Sequence, residues 1–310
     1  MELNKIYPDI SLPPDFKVVA SAGGLTIFRM DYEAAVKRLF DADSSAVGPN
    51  TVQGRGNYHI SEIISQSGQP AEAILKTCKR GGLISSIMPD VFSDAKRPLN
   101  ELVVTEQARR ARVPVPEILG IEIKSNGAGF NRVRIIYKRI ADALTIEEAI
   151  IKKFSVLSGN RQELYQYKNK IINSIARAIK KMHLAEVYHA DLNIRNILIQ
   201  QGLASGPEMQ VYLIDLDKSV HISGELAFDK KIANLIRLNR SLDKLFFIAG
   251  DSEISNLISR TDRLRLLTEY LNEQNISGKQ KRTIVRKCLL NSRIHKWWWH
   301  LWGLRKSSLV

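Results

Sequence analysis

The rhythm of apolar positions changes near residue 140. Before it, apolar residues come in short runs separated by turn-forming clusters. Phe16–Ala20 and Leu25–Arg29 flank Ser21-Ala-Gly-Gly24 and read as two strands around a turn. Residues 34–41 suit a short helix. A second hairpin is expected where a run beginning at Gly54-Arg-Gly56 continues through Ile64, turns at Ser67-Gly-Gln-Pro70 and resumes over Ala71–Thr77. Over 98–112 the period is helical, with Leu99, Leu102, Val103, Gln107 and Ala111 on one face. Val113-Pro-Val-Pro116 stops that helix, since proline cannot continue it. Strands are expected again near Ile118–Ile123 and Arg132–Arg139, with Ser125-Asn-Gly-Ala-Gly129 as their turn.

After Ala141 the pattern is helical. Ile171, Ile175, Ala178, Ile179 and Met182 form an apolar stripe over several turns. Residues 226–248 and 254–273 also read as helices. A β-rich lobe over 1–140 and a helical lobe over 141–275 make this an α+β chain, with 276–310 as a separate C-terminal segment.

Composition narrows the picture. The chain has 310 residues, 44% of them hydrophobic and 25% charged. That excludes a disordered or collagen-like chain. Two cysteines, Cys78 and Cys288, are too few for a disulfide framework and point to a reducing compartment. No run reaches the roughly 18 apolar residues that a spanning helix needs. The N-terminus carries no apolar signal-peptide core. The expected place is therefore the cytosol or a membrane's cytosolic side.

The formal charge is +14, and it is unevenly placed. From Asn275 to Val310 there are nine Lys or Arg and no acidic residue, beside all four tryptophans, Trp297, Trp298, Trp299 and Trp302. Indoles and cations together suit the headgroup layer of an anionic bilayer, where each cation contributes on the order of 1 kcal/mol. A peripheral membrane contact is the favoured reading. Nucleic-acid stacking is the rival and is not expected. An ordinary basic helix with its indoles packed on the domain is the third possibility.

Chemistry concentrates in His189-Ala-Asp191-Leu-Asn-Ile-Arg-Asn196-Ile-Leu-Ile, followed by Val211-Tyr-Leu-Ile-Asp215-Leu-Asp217. The pair resembles the catalytic-loop and metal-loop signature of protein-kinase-like phosphotransferases. A phosphoryl donor carries several negative charges, so such an enzyme holds Mg²⁺ against it and sets a carboxylate beside the acceptor hydroxyl. The spacing from Asp191 to Asn196 matches that family. It lets one short loop aim a carboxylate at the acceptor and an amide oxygen at the metal. Upstream, Gly54 and Gly56 resemble a nucleotide loop, although His59 stands where a third glycine is expected. Lys76 occupies the place of the phosphate-binding lysine, with Lys79 as a substitute. Glu101 is the candidate acid to pair with Lys76, and Glu106 is the runner-up.

The chain has no Ala-Pro-Glu signature after Asp215 and no Arg before Asp191. Its finer resemblance is to the 3-deoxy-D-manno-octulosonic acid (Kdo) kinases of the lipopolysaccharide kinase group of Gram-negative bacteria. Lys79-Arg-Gly-Gly-Leu83, Arg97-Pro-Leu-Asn-Glu101, Leu213-Ile-Asp-Leu-Asp-Lys218 and Asn234-Leu-Ile-Arg-Leu-Asn-Arg-Ser-Leu-Asp-Lys244 carry it, together with the motifs above. The resemblance implies a two-lobe protein-kinase-like fold with a small β-rich lobe and a larger helical one. It also implies transfer from ATP, with Mg²⁺, to the 4-hydroxyl of Kdo on a Kdo-bearing lipid A precursor, at the cytoplasmic face of the inner membrane.

Roles follow from the same resemblance. Asp191 takes or orients the acceptor proton, and Asn196 and Asp215 bind Mg²⁺. Lys76, held by Glu101, meets the donor phosphates, and Gly54 and Gly56 let the loop approach them. His189 braces the catalytic loop. Asn193 stands where many protein kinases have lysine, so Arg195 is a candidate for acceptor-side charge. Lys79, Arg80, Arg237, Arg240 and Lys244 are available for the acceptor's carboxylate and phosphates. Two other readings stay open: a kinase of heptose or another small molecule, and a catalytically dead scaffold docked at the membrane.

Overall fold

A computed structural model describes residues 3–21, 23–42, 51–53, 57–78, 92, 94–125, 130–201, 209–250, 253–272, 278–279 and 281–287. Two compact units divide the chain. The first is Met1–Arg110 with Pro116–Ile140, and the second is Ala111–Val115 with Ala141–Val310. A sheet-built unit and a helical one together give the α+β class expected.

In the first unit, seven strands among the described residues form one antiparallel sheet. They are β1 (Phe16–Ser21), β2 (Gly24–Arg29), β3 (Thr51–Gln53), β4 (Asn57–Ile64), β5 (Pro70–Thr77), β6 (Ile118–Ser125) and β7 (Asn131–Lys138), in the order β1-β2-β6-β7-β5-β4-β3. Helices lead into it at α1 (Leu3–Ile6) and α2 (Glu33–Asp41), and α3 (Lys96–Arg110) precedes β6.

Both faces of the sheet are covered, because side chains alternate along each strand. Ile27, Ile118, Ile121, Val133 and Ile135 pack with Leu99 and Leu102 of α3. Phe28, Leu119 and Ile136 pack instead with Ala35, Val36 and Phe40 of α2. An irregularity in register between Ile118 and Gly120 lets Ile118 and Ile121 share the α3 side. Gly120 lies under α2, where an added Cβ would meet Val36 Cγ1 at 2.5 Å and the Ile27 carbonyl oxygen at 3.1 Å.

The face expected for α3 is too narrow. Leu99 and Leu102 are buried, but so are Glu101, Val104, Thr105, Glu106 and Ala108, while Gln107 and Ala111 are exposed. Two glutamates at buried positions hide the true face from an apolar count. Each has a partner inside the unit, as ionisable groups at such positions require.

In the second unit, β8 (Ala143–Thr145) leads into α4 (Ile146–Glu148), a π-helical turn (Ala149–Phe154) and α5 (Ser155–Leu157). The long α6 (Arg161–Leu184) buries the expected stripe of Ile171, Ile175, Ala178, Ile179 and Met182. Then come β9 (Val187–Tyr188), β10 (Ile197–Gln200), β11 (Val211–Leu213), β12 (Val220–His221), α7 (Phe228–Ala249) and α8 (Arg260–Leu271). The helix expected over 254–273 is shorter than predicted. A 3-10 turn occupies Glu253–Asn256, and Ser259 caps α8 reciprocally with Asp262, which fixes its start at 260. Among the described residues, no helix is long and apolar enough to cross a membrane.

Candidate active site

Two short ladders frame the polar segment. β9 pairs with β12, matching Tyr188 to Val220, and β10 pairs with β11, matching Ile197 to Leu213. The loops 189–196 and 214–219 therefore face each other, pinned at both ends. The register sets Asn196 opposite Ile214, one residue from Asp215. The Ile214 N–H donates to the Asn196 carbonyl oxygen at 3.0 Å.

His189 ties the two loops together. Its ring is buried. Nδ1 accepts from the Asp191 backbone N–H at 3.2 Å, so Nε2 carries the hydrogen and donates to the Ile214 carbonyl oxygen at 3.1 Å. Burial lowers the pKa of this imidazole, with the Ile214 bond and the Asp215 and Asp191 charges opposing. A neutral ring with this tautomer is a brace and not a base.

The loop then closes on itself. The Asp191 carbonyl oxygen accepts from Asn193 Nδ2 at 3.0 Å and from Asn196 Nδ2 at 2.9 Å. Asn193 Oδ1 in turn accepts from the Arg195 N–H at 2.9 Å. Asn193 is thus a turn-former, which explains an amide at that position. With its amide nitrogen engaged, Asn196 keeps Oδ1 as its open oxygen. Asp215 has φ of 64°, in the left-handed region. Two hard oxygen donors, from Asn196 and Asp215, fit a magnesium ion that draws its remaining ligands from phosphates and water. Among the described residues, no cluster of three or more acidic, His or Cys groups offers an all-protein metal site.

The Asp191 carboxylate is half exposed, and Arg237 Nη1 lies 3.9 Å from its Oδ1. Arg195 points its chemistry elsewhere. Its guanidinium is paired to both carboxylate oxygens of Glu147.

A buried chain of hydrogen bonds supports this loop from behind. Asn234 Nδ2 donates to the His189 carbonyl oxygen at 2.6 Å. Its Oδ1 is then the acceptor for His183 Nε2 at 3.0 Å, and His183 Nδ1 accepts from the Tyr270 hydroxyl at 2.8 Å. Burial lowers the His183 pKa to about 4, which keeps the ring neutral. Ser241 Oγ accepts from the Ile194 N–H at 3.1 Å. Sequence reasoning missed His183 and Tyr270, and it quoted Asn234 and Ser241 only within the Asn234–Lys244 stretch that carries the resemblance, without a role, because their contacts join α6, α7 and α8 to the loop. For His183 the signal was local: it continues the buried stripe of α6, where an apolar residue is the ordinary occupant.

In the first unit, Lys76 is on β5. Its Nζ stands 6.0 Å from the centroid of the Tyr137 ring, and the Tyr137 hydroxyl donates to Glu101 Oε1 at 2.7 Å. Glu106 is committed elsewhere. Its carboxylate meets Arg29 at 2.5 Å and Arg109 at 3.0 Å, fully buried. Gly54, Gly56, Lys79, Arg80 and the four tryptophans lie outside the described residues.

The sequence matches the family described as lipopolysaccharide kinase (Kdo/WaaP) over residues 53–270. A 3-deoxy-D-manno-octulosonic acid kinase of Vibrio vulnificus is 32% identical over 211 residues, covering 67% of this chain and 77% of that one. Another, from Vibrio cholerae serotype O1, is 29% identical over 195 residues, covering 62% and 72%. A solved structure of WaaP in complex with acyl carrier protein has 16% identity and a TM-score of 0.49, covering 84% of this chain and 94% of that one.

Proposed function

The chain belongs to the lipopolysaccharide kinase (Kdo/WaaP) family, and on that premise we propose that it phosphorylates the 4-hydroxyl of Kdo on a lipid A precursor, using ATP. The observation that carries the chemistry is the half-exposed Asp191 carboxylate, on a loop whose backbone is held by His189 and Asn196 and tied through His189 to the carbonyl beside Asp215. The likeness to Kdo kinases over two thirds of the chain supports the sugar.

In this reading the acceptor hydroxyl oxygen attacks the γ-phosphorus, and the bond from that phosphorus to the β–γ bridging oxygen breaks. ADP leaves with the electron pair. The hydroxyl proton passes to Asp191 and then to solvent. Positioning and charge stabilisation supply most of the rate. Asn196 Oδ1 and Asp215 hold Mg²⁺, whose charge offsets that of the phosphates. Lys76 meets the donor phosphates and Glu101 sets its position, with Gly54 and Gly56 allowing close approach. The basic, tryptophan-rich segment after Asn275 holds the enzyme at the cytoplasmic face of the inner membrane, where the acceptor's lipid lies.

The test is label transfer from γ-labelled ATP to Kdo-bearing lipid A precursor, beside Asp191→Asn. Transfer is expected from the unmodified enzyme, with a fall of about 10²- to 10⁴-fold in the variant and nucleotide binding retained. Transfer to a heptosylated acceptor alone would overturn the sugar. Full activity in Asp191→Asn would overturn the mechanism.

A further inference from the structure

Arg237 of α7 lies beside the reacting group, and Arg240, one turn further on, has no ion-pair partner among the described residues. Arg237 reaches Asp191 only at 3.9 Å, with both side chains about half exposed, a distance and exposure at which an ion pair contributes little. Arg240 follows at i+3, so the two cations neighbour each other on one helix face. Arg240 Nε is buried and has no acceptor among the described residues. Burial draws the pKa of this guanidinium down, and the charge of Arg237 adds to the effect. The nearby Asp243 is already taken by Arg263 at 2.6 Å.

A buried guanidinium N–H without an acceptor costs free energy, and a like charge beside it adds to the cost. An oxyanion placed between the two relieves both at once. Guanidinium is the group best shaped to take one, through paired N–H bonds. The position is also held firmly. Asn234 and Ser241 of the same helix bind the backbone of the loop that bears Asp191, at 2.6 Å to His189 and 3.1 Å from Ile194. Arg237 and Arg240 lie between those two anchors in sequence, so the backbone that carries them is held against the loop that bears Asp191.

Resting on the kinase reading above, we infer that Arg237 and Arg240 form an anion subsite that takes the carboxylate of the acceptor sugar and thereby sets which hydroxyl meets Asp191. An octulosonic acid carries its carboxylate on the same ring as its 4-hydroxyl. Arg237 is itself in reach of Asp191, so an anion one sugar ring from the reacting oxygen suits the spacing. Phosphates of the lipid disaccharide offer the same oxyanion chemistry from farther away.

The experiment compares three acceptors: the Kdo-bearing precursor, its Kdo methyl ester, and the precursor lacking its lipid phosphates. Each is given to the unmodified enzyme, Arg237→Gln, Arg240→Gln and Arg240→Lys. The acceptor KM of the unmodified enzyme should rise about tenfold to hundredfold on esterification, the worth of one charge-assisted hydrogen bond. Arg240→Gln should show the same rise on the free acid and no further rise on the ester, with the KM for ATP unmoved. Arg240→Lys should recover part of the difference. If Arg240→Gln discriminates acid from ester as the unmodified enzyme does, the inference falls. It falls equally if the variant loses discrimination only for the lipid phosphates. Should Arg240→Gln not fold, the ester comparison with Arg237→Gln decides. Absence of any transfer by the unmodified enzyme would instead sink the functional reading, and this inference with it.

Discussion

Glu106 and Arg29 meet at 2.5 Å inside the first unit, with the carboxylate fully buried and the guanidinium 7% exposed. The pair joins α3 to β2. It is a structural contact, and it separates the two glutamates that one helix offers.

Replacing each glutamate by glutamine should split stability from activity. Glu106→Gln leaves a buried guanidinium short of charge and should cost about 3 kcal/mol, at the low end for a broken buried pair because Glu117 and Asp15 also reach Arg29. Glu101→Gln keeps an oxygen for Tyr137 and should cost under about 1 kcal/mol, while kcat/KM for ATP falls at least about tenfold. Denaturant melts and steady-state kinetics on both variants check this. The opposite pattern would transfer the Lys76 partnership to Glu106.

His183 makes stability depend on pH. Its pKa is about 4 in the folded chain against 6.5 for an unburied imidazole. Between those values the unfolded chain binds the proton and the folded chain does not. Stability is therefore complete above 6.5 and is lost as pH falls toward 4, by up to about 3 kcal/mol. His189, shifted the same way, adds to the loss. Urea midpoints at pH 7 and pH 5 should differ in the unmodified protein and differ less in His183→Gln. Equal differences would show that the ring is not the source.

Gly120→Ala should destabilise the first unit by roughly 1–3 kcal/mol, the usual range for overpacking. The new methyl would press on Val36 Cγ1, 2.5 Å away. Adding Val36→Ala removes that atom and should return part of the loss, which a double-mutant cycle on thermal melting measures. No coupling between the two sites would contradict the packing.

The C-terminal segment makes a separate prediction. Changing Trp297, Trp298, Trp299 and Trp302 to alanine should weaken binding to anionic vesicles by about tenfold or more, since interfacial affinity combines buried apolar area with charge attraction. Sedimentation with phosphatidylglycerol vesicles reads it. Undiminished binding would remove the indoles from the membrane argument.

Local signals carried much of the fold. Gly24, Pro70 and Pro114 mark chain reversals or stops, and two periodicities separate strands from helices. They fail where tertiary partners decide. Glu101 and Glu106 made the buried side of α3 read as polar, because Tyr137 and Arg29 lie far off in sequence. The segment bearing Asp191 and Asn196 is legible as a spaced string, since one tight loop dictates the spacing. Its support is not. Asn234, Ser241 and Tyr270 act through contacts that no periodicity encodes, and the pairing of Arg195 with Glu147, 48 residues away, is of the same kind. Asn193, where many protein kinases have lysine, forms the turn of the loop, a role its identity alone does not show.

The left-handed backbone at Asp215 bears on how that residue can be probed. Asn and Asp enter this conformation several-fold more often than other side chains, and most others strain there. Alanine at 215 would remove a carboxylate and disturb the loop at once, so its loss of activity would overstate what the charge contributes. Asparagine keeps the backbone preference and most of the shape. The difference between Asp215→Ala and Asp215→Asn thus measures how much of this position's importance is conformational, a quantity that alanine scanning by itself folds invisibly into chemistry.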